Sequence, residues 1–238
     1  MPAERRLSVT AVFGKHPGFG DFLAAGELPA ECASRVMDWL AQTLGGWRDS
    51  AGPDWQAGFD RAPALRFWIG AGLSGGVALR GVMIPSRDRS GRRFPLIVAQ
   101  ATAGAAPVID ADQAFFDQAE GELRAMATVD RFEPREVAAA LSQTLPAPAD
   151  GQPVQGASFW ATNATRPPQD MLAELAATDY AHAQAGRSYW WFAADEQAGQ
   201  QSGILACAGW PGPAEMGWLL VAGRPQPAPA PSPDEAQA

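Results

Sequence analysis

The 238 residues are 47% hydrophobic and 18% charged, which suits one large α/β domain or two small ones with a sizeable core and does not suit a disordered chain. The formal charge of −8 is uneven: residues 1–100 hold 12 Lys or Arg against 9 Asp or Glu, whereas residues 101–238 hold 6 against 17. With no concentrated basic face, this balance argues against a nucleic-acid partner for the whole chain.

From Ser8 to Phe13, β-branched and aromatic residues predict an opening strand. It leads into Gly14-Lys15-His16-Pro17-Gly18-Phe19-Gly20-Asp21-Phe22, too rich in Gly and Pro to be regular. Pro29 then suits the first turn of a helix whose apolar face is Ala33, Val36, Met37, Leu40 and Leu44, and Gly45-Gly46 is expected to end it. Cys32, beside that stripe, reads as a small core residue. Leu65 to Ile69 and Val77 to Ile84 read as strands, Pro85 to Arg93 as a polar loop, and Phe94 to Ala101 as a third, strongly apolar strand. A nine-residue connection is short for a parallel crossover, so the last two strands should form an antiparallel hairpin.

Asp110 or Asp112 can cap a helix that carries Phe115, Ala119, Leu123 and Met126 on one side. A second helix begins near Pro134, repeats Val137, Leu141 and Leu145, and stops at Pro146. Pro146 to Pro153 is the best internal linker and marks a sub-boundary. Beyond it the pattern predicts a strand at Ser158–Ala161, a helix near Gln169–Ala177, strands at Ser188–Ala193 and Gly203–Ala208, and a helix near Ala214–Ala222. Within Ser188–Ala193, Tyr189, Trp190, Trp191 and Phe192 must place alternate rings on opposite faces, which calls for cover on both sides of the sheet. The fold class is therefore α/β, a mixed and largely antiparallel central sheet with helices on both faces, in three layers. Residues 1–223 form this domain, and the alternating Pro and Ala of residues 224–238 read as a disordered or extended tail.

The chemical motifs are weak. Gly72-Leu73-Ser74-Gly75-Gly76 has the glycines of a phosphate loop but no Lys-Ser/Thr after them. Two distant cysteines, Cys32 and Cys207, suggest neither a zinc site nor a disulfide scaffold. Asp110-x-Asp112 lacks the further oxygen ligands of a calcium loop. His182 and His16 read as surface and exposed-loop residues, outside any nucleophile-elbow sequence. No cofactor or metal is expected. Asp21 and Asp88 lie in loops that could approach one another, and Lys15, Arg87, Arg89, Arg92 and Arg93 around them favour ionised, salt-bridged carboxylates over general acids. Each loop ends on a buried-type aromatic, Phe22 or Phe94. Both carboxylates are expected to accept backbone N–H bonds in their own turns.

Two stretches carry a family resemblance. Phe13-Gly14-Lys15-His16-Pro17-Gly18-Phe19-Gly20-Asp21-Phe22 is similar to the opening G-K-x-P-x-x-G-D-F of the TagF proteins of bacterial type VI secretion, and residues 81–96 resemble their G-V-x-x-P-S-x-D-x-x-G-R-x-F-P-L. Ser188-Tyr189-Trp190-Trp191 and Cys207-Ala208-Gly209-Trp210-Pro211 resemble weaker downstream features. The resemblance implies a sheet between helices and a cytoplasmic, post-translational repressor of type VI secretion, recruited to the apparatus at the inner membrane and acting through its forkhead-associated scaffold protein. It also implies the stand-alone form, without the PppA phosphatase domain fused to some members. The family supplies no catalytic residues, so the expected site is a recognition surface of Lys15, Asp21, Ser86, Asp88, Arg92 and Arg93, held on rigid loops. The competing expectation is a nucleotide- or phosphate-responsive enzyme or switch in which Lys15 and Arg92 contact phosphate.

Overall fold

The computed structural model describes residues 9–102, 104–148, 185–195 and 200–221. Their strands are β1 (Thr10–Gly14), β2 (Leu23–Ala25), β3 (Leu65–Ile69), β4 (Ala78–Ile84), β5 (Leu96–Thr102), β6 (Arg187–Phe192) and β7 (Gly203–Ala208). They form one sheet in the order β2-β1-β5-β4-β3-β6-β7, and all of these pairings are antiparallel. The expected hairpin is β4–β5, with Ala78 opposite Thr102 and Ile84 opposite Leu96.

Side chains alternate across this sheet, and each set meets its own helices. On one face Phe13, Phe67, Ile69, Leu79, Ile97 and Trp190 pack against α1 (Ala30–Ala51), α2 (Trp55–Asp60) and α5 (Pro213–Val221) through Leu40, Trp47, Phe59 and Met216. On the other, Val12, Val82, Leu96 and Val98 pack against α3 (Ala114–Ala127) and α4 (Pro134–Thr144) through Phe115, Ala119, Leu123 and Leu141. The three-layer sandwich is thus observed. Trp190 and Trp191 divide as their spacing requires: Trp190 stacks on Trp39 of α1, while Trp191 meets Phe116 of α3 and donates from Nε1 to Gln113.

Helix α1 departs from expectation, because Gly45 and Gly46 lie inside it and it ends only at Gly52, whose φ of 67° is the left-handed value that glycine accepts. A Cβ at Gly46 would lie 2.7 Å from Pro213 Cγ, so the missing side chain lets α5 approach, and burial of Trp47 beyond it outweighs the low helix propensity. Helix α3 begins at Ala114; the Asp112 carboxylate accepts the Ala114 N–H at its entrance. Cys32 is fully buried, and that burial pushes its thiol up to about 11, as befits an inert core residue. The predicted strand at 158–161, the helix at 169–177, His182, most of the 146–153 linker and the 224–238 tail lie outside the described residues.

Gly81, in the middle of β4, has no room to grow: a Cβ there would stand 2.4 Å from both Phe67 Cζ and the Val98 carbonyl oxygen. Gly81→Ala is expected to destabilise the fold by about 1–3 kcal/mol, because the neighbouring strand backbone must give way. Urea denaturation of the purified variant measures this directly.

Candidate functional site

The antiparallel order brings the two motif loops together. β1 ends at Gly14 opposite Leu96, where β5 begins, and β4 ends at Ile84 opposite the same residue, so residues 15–22 and 85–95 leave one end of the sheet side by side. Gly14 makes the exit possible: its φ is 124°, and a Cβ would come within 2.0 Å of the Pro95 carbonyl oxygen.

Asp88 joins the loops. It is only 2% exposed, in a turn closed by bonds from Asp88 N to Arg92 O and from Gly91 N to Asp88 O, with Gly91 at a φ of 85°. Its Oδ1 accepts from Ser90 N, Ser90 Oγ and Arg92 N at 2.9, 2.7 and 3.0 Å. Its Oδ2 accepts from Lys15 Nζ and Arg92 Nε, each at 2.7 Å. Burial opposes ionisation, but the bonds from Lys15, Ser90 and Arg92 outweigh it and hold this carboxyl well below the usual carboxylate range. The expectation of an ionised, salt-bridged Asp88 that caps its own turn is therefore met.

Further bonds fasten the loops together. Arg92 donates from its other end to Gly20 O at 2.8 Å, Arg89 from its side chain to Gly18 O at 2.6 Å, and the Arg89 N–H to Phe19 O at 2.9 Å. Arg93 turns the other way and grips Asp60 at the end of α2 with two bonds of 2.7 and 2.6 Å, and the guanidinium holds that carboxyl below its ordinary value. Ser86 contributes through its backbone, its carbonyl accepting from Phe94 N at 3.1 Å.

Three expectations are corrected. His16 is no exposed loop residue: it is fully buried, its Nε2 donates to Met126 O at 2.9 Å and its Nδ1 accepts from Gly18 N at 3.0 Å, which defines one neutral tautomer. Its ring stands edge-on to Phe19 and Phe132, so it ties the first loop to the end of α3. Asp21 is exposed and makes no hydrogen bond or ion pair with any described residue, unlike Asp88. Phe22 is 42% exposed; its ring meets Phe94 edge-on at 5.5 Å but is not buried by it. The structure thus brings Lys15, Asp88 and Arg92 into direct contact, aims Arg93 at α2, and leaves Asp21 on the surface.

Among the described residues, no group of three or more His, Cys, Asp or Glu is placed to hold a metal ion, and no helix is long and apolar enough to cross a membrane. The described residues thus form an antiparallel α/β sandwich with a pair of interlocked polar loops at one sheet end. The chain belongs to the family of the TagF N-terminal domain, which is type VI secretion system-associated; the match spans residues 11–144 and takes in both loops. It is also similar to PA0076 from Pseudomonas aeruginosa PAO1, a crystal structure to which it aligns with a TM-score of 0.66 and 30% identity over 94% of this chain and 99% of that one. No curated protein matches the chain.

Proposed function

We propose that this chain is a non-catalytic, cytoplasmic repressor of type VI secretion that acts after translation by binding a component of the apparatus, the forkhead-associated scaffold protein being the partner that its family resemblance suggests. The observation that carries the reading is the saturation of Asp88. Five donors from the two loops meet its two oxygens, and two cations, Lys15 and Arg92, are turned onto it. A carboxylate so engaged is a poor acid or base, and cations so engaged are poorly placed to receive a phosphate. What the arrangement does supply is shape, because loops fixed before contact lose little entropy when a partner docks.

The test is isothermal titration of the purified chain against the scaffold protein, together with effector export from a secretion-competent strain. Wild-type chain should bind and silence export. Asp21→Arg, an exposed site without partners among the described residues, and Arg92→Glu should each weaken binding by about tenfold or more and restore export while the thermal transition stays cooperative. If both folded variants bind and repress as wild type does, the loops are not the interface. The phosphate-switch alternative predicts something different. ATP with magnesium should leave the Tm within about 1 °C of its value without ligand, whereas a stabilisation that disappears in Lys15→Ala would favour that alternative, since a ligand of the folded state must raise apparent stability.

A further inference from the structure

Most cations of the loop pair are engaged internally: Lys15 and Arg92 by Asp88, Arg93 by Asp60, and Arg89 by the Gly18 carbonyl. The unengaged acidic groups sit at the far end of the first loop and just beyond it. Asp21 and Glu27 are exposed, and neither makes a hydrogen bond or ion pair with a described residue. Between them in the chain, Phe22 turns an exposed ring outward, and Phe22, Ala25 and Gly26 form one bank of a groove of about 360 Å³ along the β2 edge of the sheet. Phe13 and Ala24 form its floor, Leu28 and Met37 its far side, and Glu27 lines it. Its size is at the small end for ligand sites and suits one or two apolar side chains better than a cofactor.

The groove exists because of the register. Ala24 lies opposite Phe13 and so faces the α1 side, yet Ala24 is exposed there and Met37 of α1 is only half-buried: the helix passes the β1–β2 corner without covering it. Apolar surface with unpaired carboxylates at its border is complementary to an apolar side chain with a cation nearby. We infer that this groove docks a protein segment that seats a large apolar side chain on Phe13, Ala24 and Met37 and sets a Lys or Arg against Asp21 and Glu27. The inference rests on the reading of the chain as a binding regulator, and it names the chemistry of the segment that such a regulator grips. Gly20 and Phe22 make the groove continuous with the interlocked loops, since Arg92 holds the Gly20 carbonyl and Phe94 meets the Phe22 ring.

The experiment uses the full chain and three fluorescein-labelled hexapeptides: Gly-Lys-Phe-Leu-Lys-Gly, its acidic counterpart with Glu for both Lys, and a counterpart with Ser for Phe and Leu. Anisotropy at low salt should show the first binding at least about tenfold tighter than either control, with the preference shrinking as salt rises. Met37→Glu should abolish that binding. In the double variant Asp21→Lys with Glu27→Lys, whose positions have no partner among the described residues to lose, the acidic peptide should become the preferred one. The proposal is overturned if basic and acidic peptides bind alike, if the folded double variant keeps the original order, or if removing residues 1–8 raises affinity about tenfold, which would make the chain's own amino terminus the occupant. Effector export separates this failure from that of the regulatory reading. Peptides that are not discriminated while wild-type chain still silences export reject the groove alone, whereas export unchanged by wild-type chain rejects the regulator.

Discussion

Trp190→Ala is expected to cost about 3–5 kcal/mol and to lower the Tm by roughly 10 °C or more. Trp190 is 1% exposed, and its ring lies 4.8 Å from Trp39 and 5.3 Å from Phe67, so it joins α1 to the middle of the sheet. Its Nε1 donates to Ser188 Oγ at 3.0 Å, and that hydroxyl donates in turn to Gly209 O, so truncation also disturbs the link to the segment entering α5. Trp39 is held on the far side by Trp210 and by a bond from its own Nε1 to Pro211 O, which prevents collapse into the void. Equilibrium urea denaturation monitored by circular dichroism measures the loss; a change below about 1 kcal/mol would mean that this aromatic stack does not hold the layers together.

Asp88→Asn is expected to lower stability most at neutral pH and progressively less in acid. In the unfolded chain this carboxyl titrates near the ordinary aspartate value of about 3.9, while in the folded chain its partners hold it well below that range. A group whose proton affinity is depressed by folding stabilises the fold above its unfolded value, and that contribution fades as the pH falls toward the folded one. The gap in Tm between wild type and variant should therefore be constant from about pH 5 to pH 8 and narrow below about pH 4. Differential scanning calorimetry across that range tests the sign. A gap that widens in acid would mean that the carboxylate is not the ionised hub of the loops. The variant also leaves Lys15, at 15% side-chain exposure, beside an uncharged amide, so the first loop should become more accessible to proteases at neutral pH.

Much of this fold was legible in the chain because its strands are long enough to show a period. Leu65–Ile69 and Gly203–Ala208 match the predicted spans, and β4, β5 and β6 differ from theirs by a few terminal residues. Strand β2, of three residues, and helix α2, of six, are too short to display periodicity and were not foreseen. The misjudged end of α1 has a different cause: tertiary contact of Gly46 with Pro213 and of Trp47 with Gly217 overrides what glycine prefers locally. At the site, sequence neighbours disclosed that Asp88 would be ionised and paired, since Ser90 and Arg92 lie within four residues of it. They could not disclose the fates of His16 and Asp21. The partner of His16, Met126 O, is 110 residues away, and Arg92, a cation across the loops, bonds Asp88 and the Gly20 carbonyl and makes no bond to Asp21.

The place of β5 in the sheet has a consequence for biosynthesis. It is the fifth of the described strands in chain order, yet it lies between the first and the fourth. Until the ribosome has delivered residue 102, β1 has only the three-residue β2 beside it and β4 has one side open. Two apolar ladders stay unzipped in the nascent chain, where they can pair with the wrong strand or with another molecule. Strand β3 waits longer still, because its second neighbour is β6, which begins at Arg187. Slow translation or a paused ribosome before that point leaves these strand edges uncovered for longer, and chaperone cover then matters more.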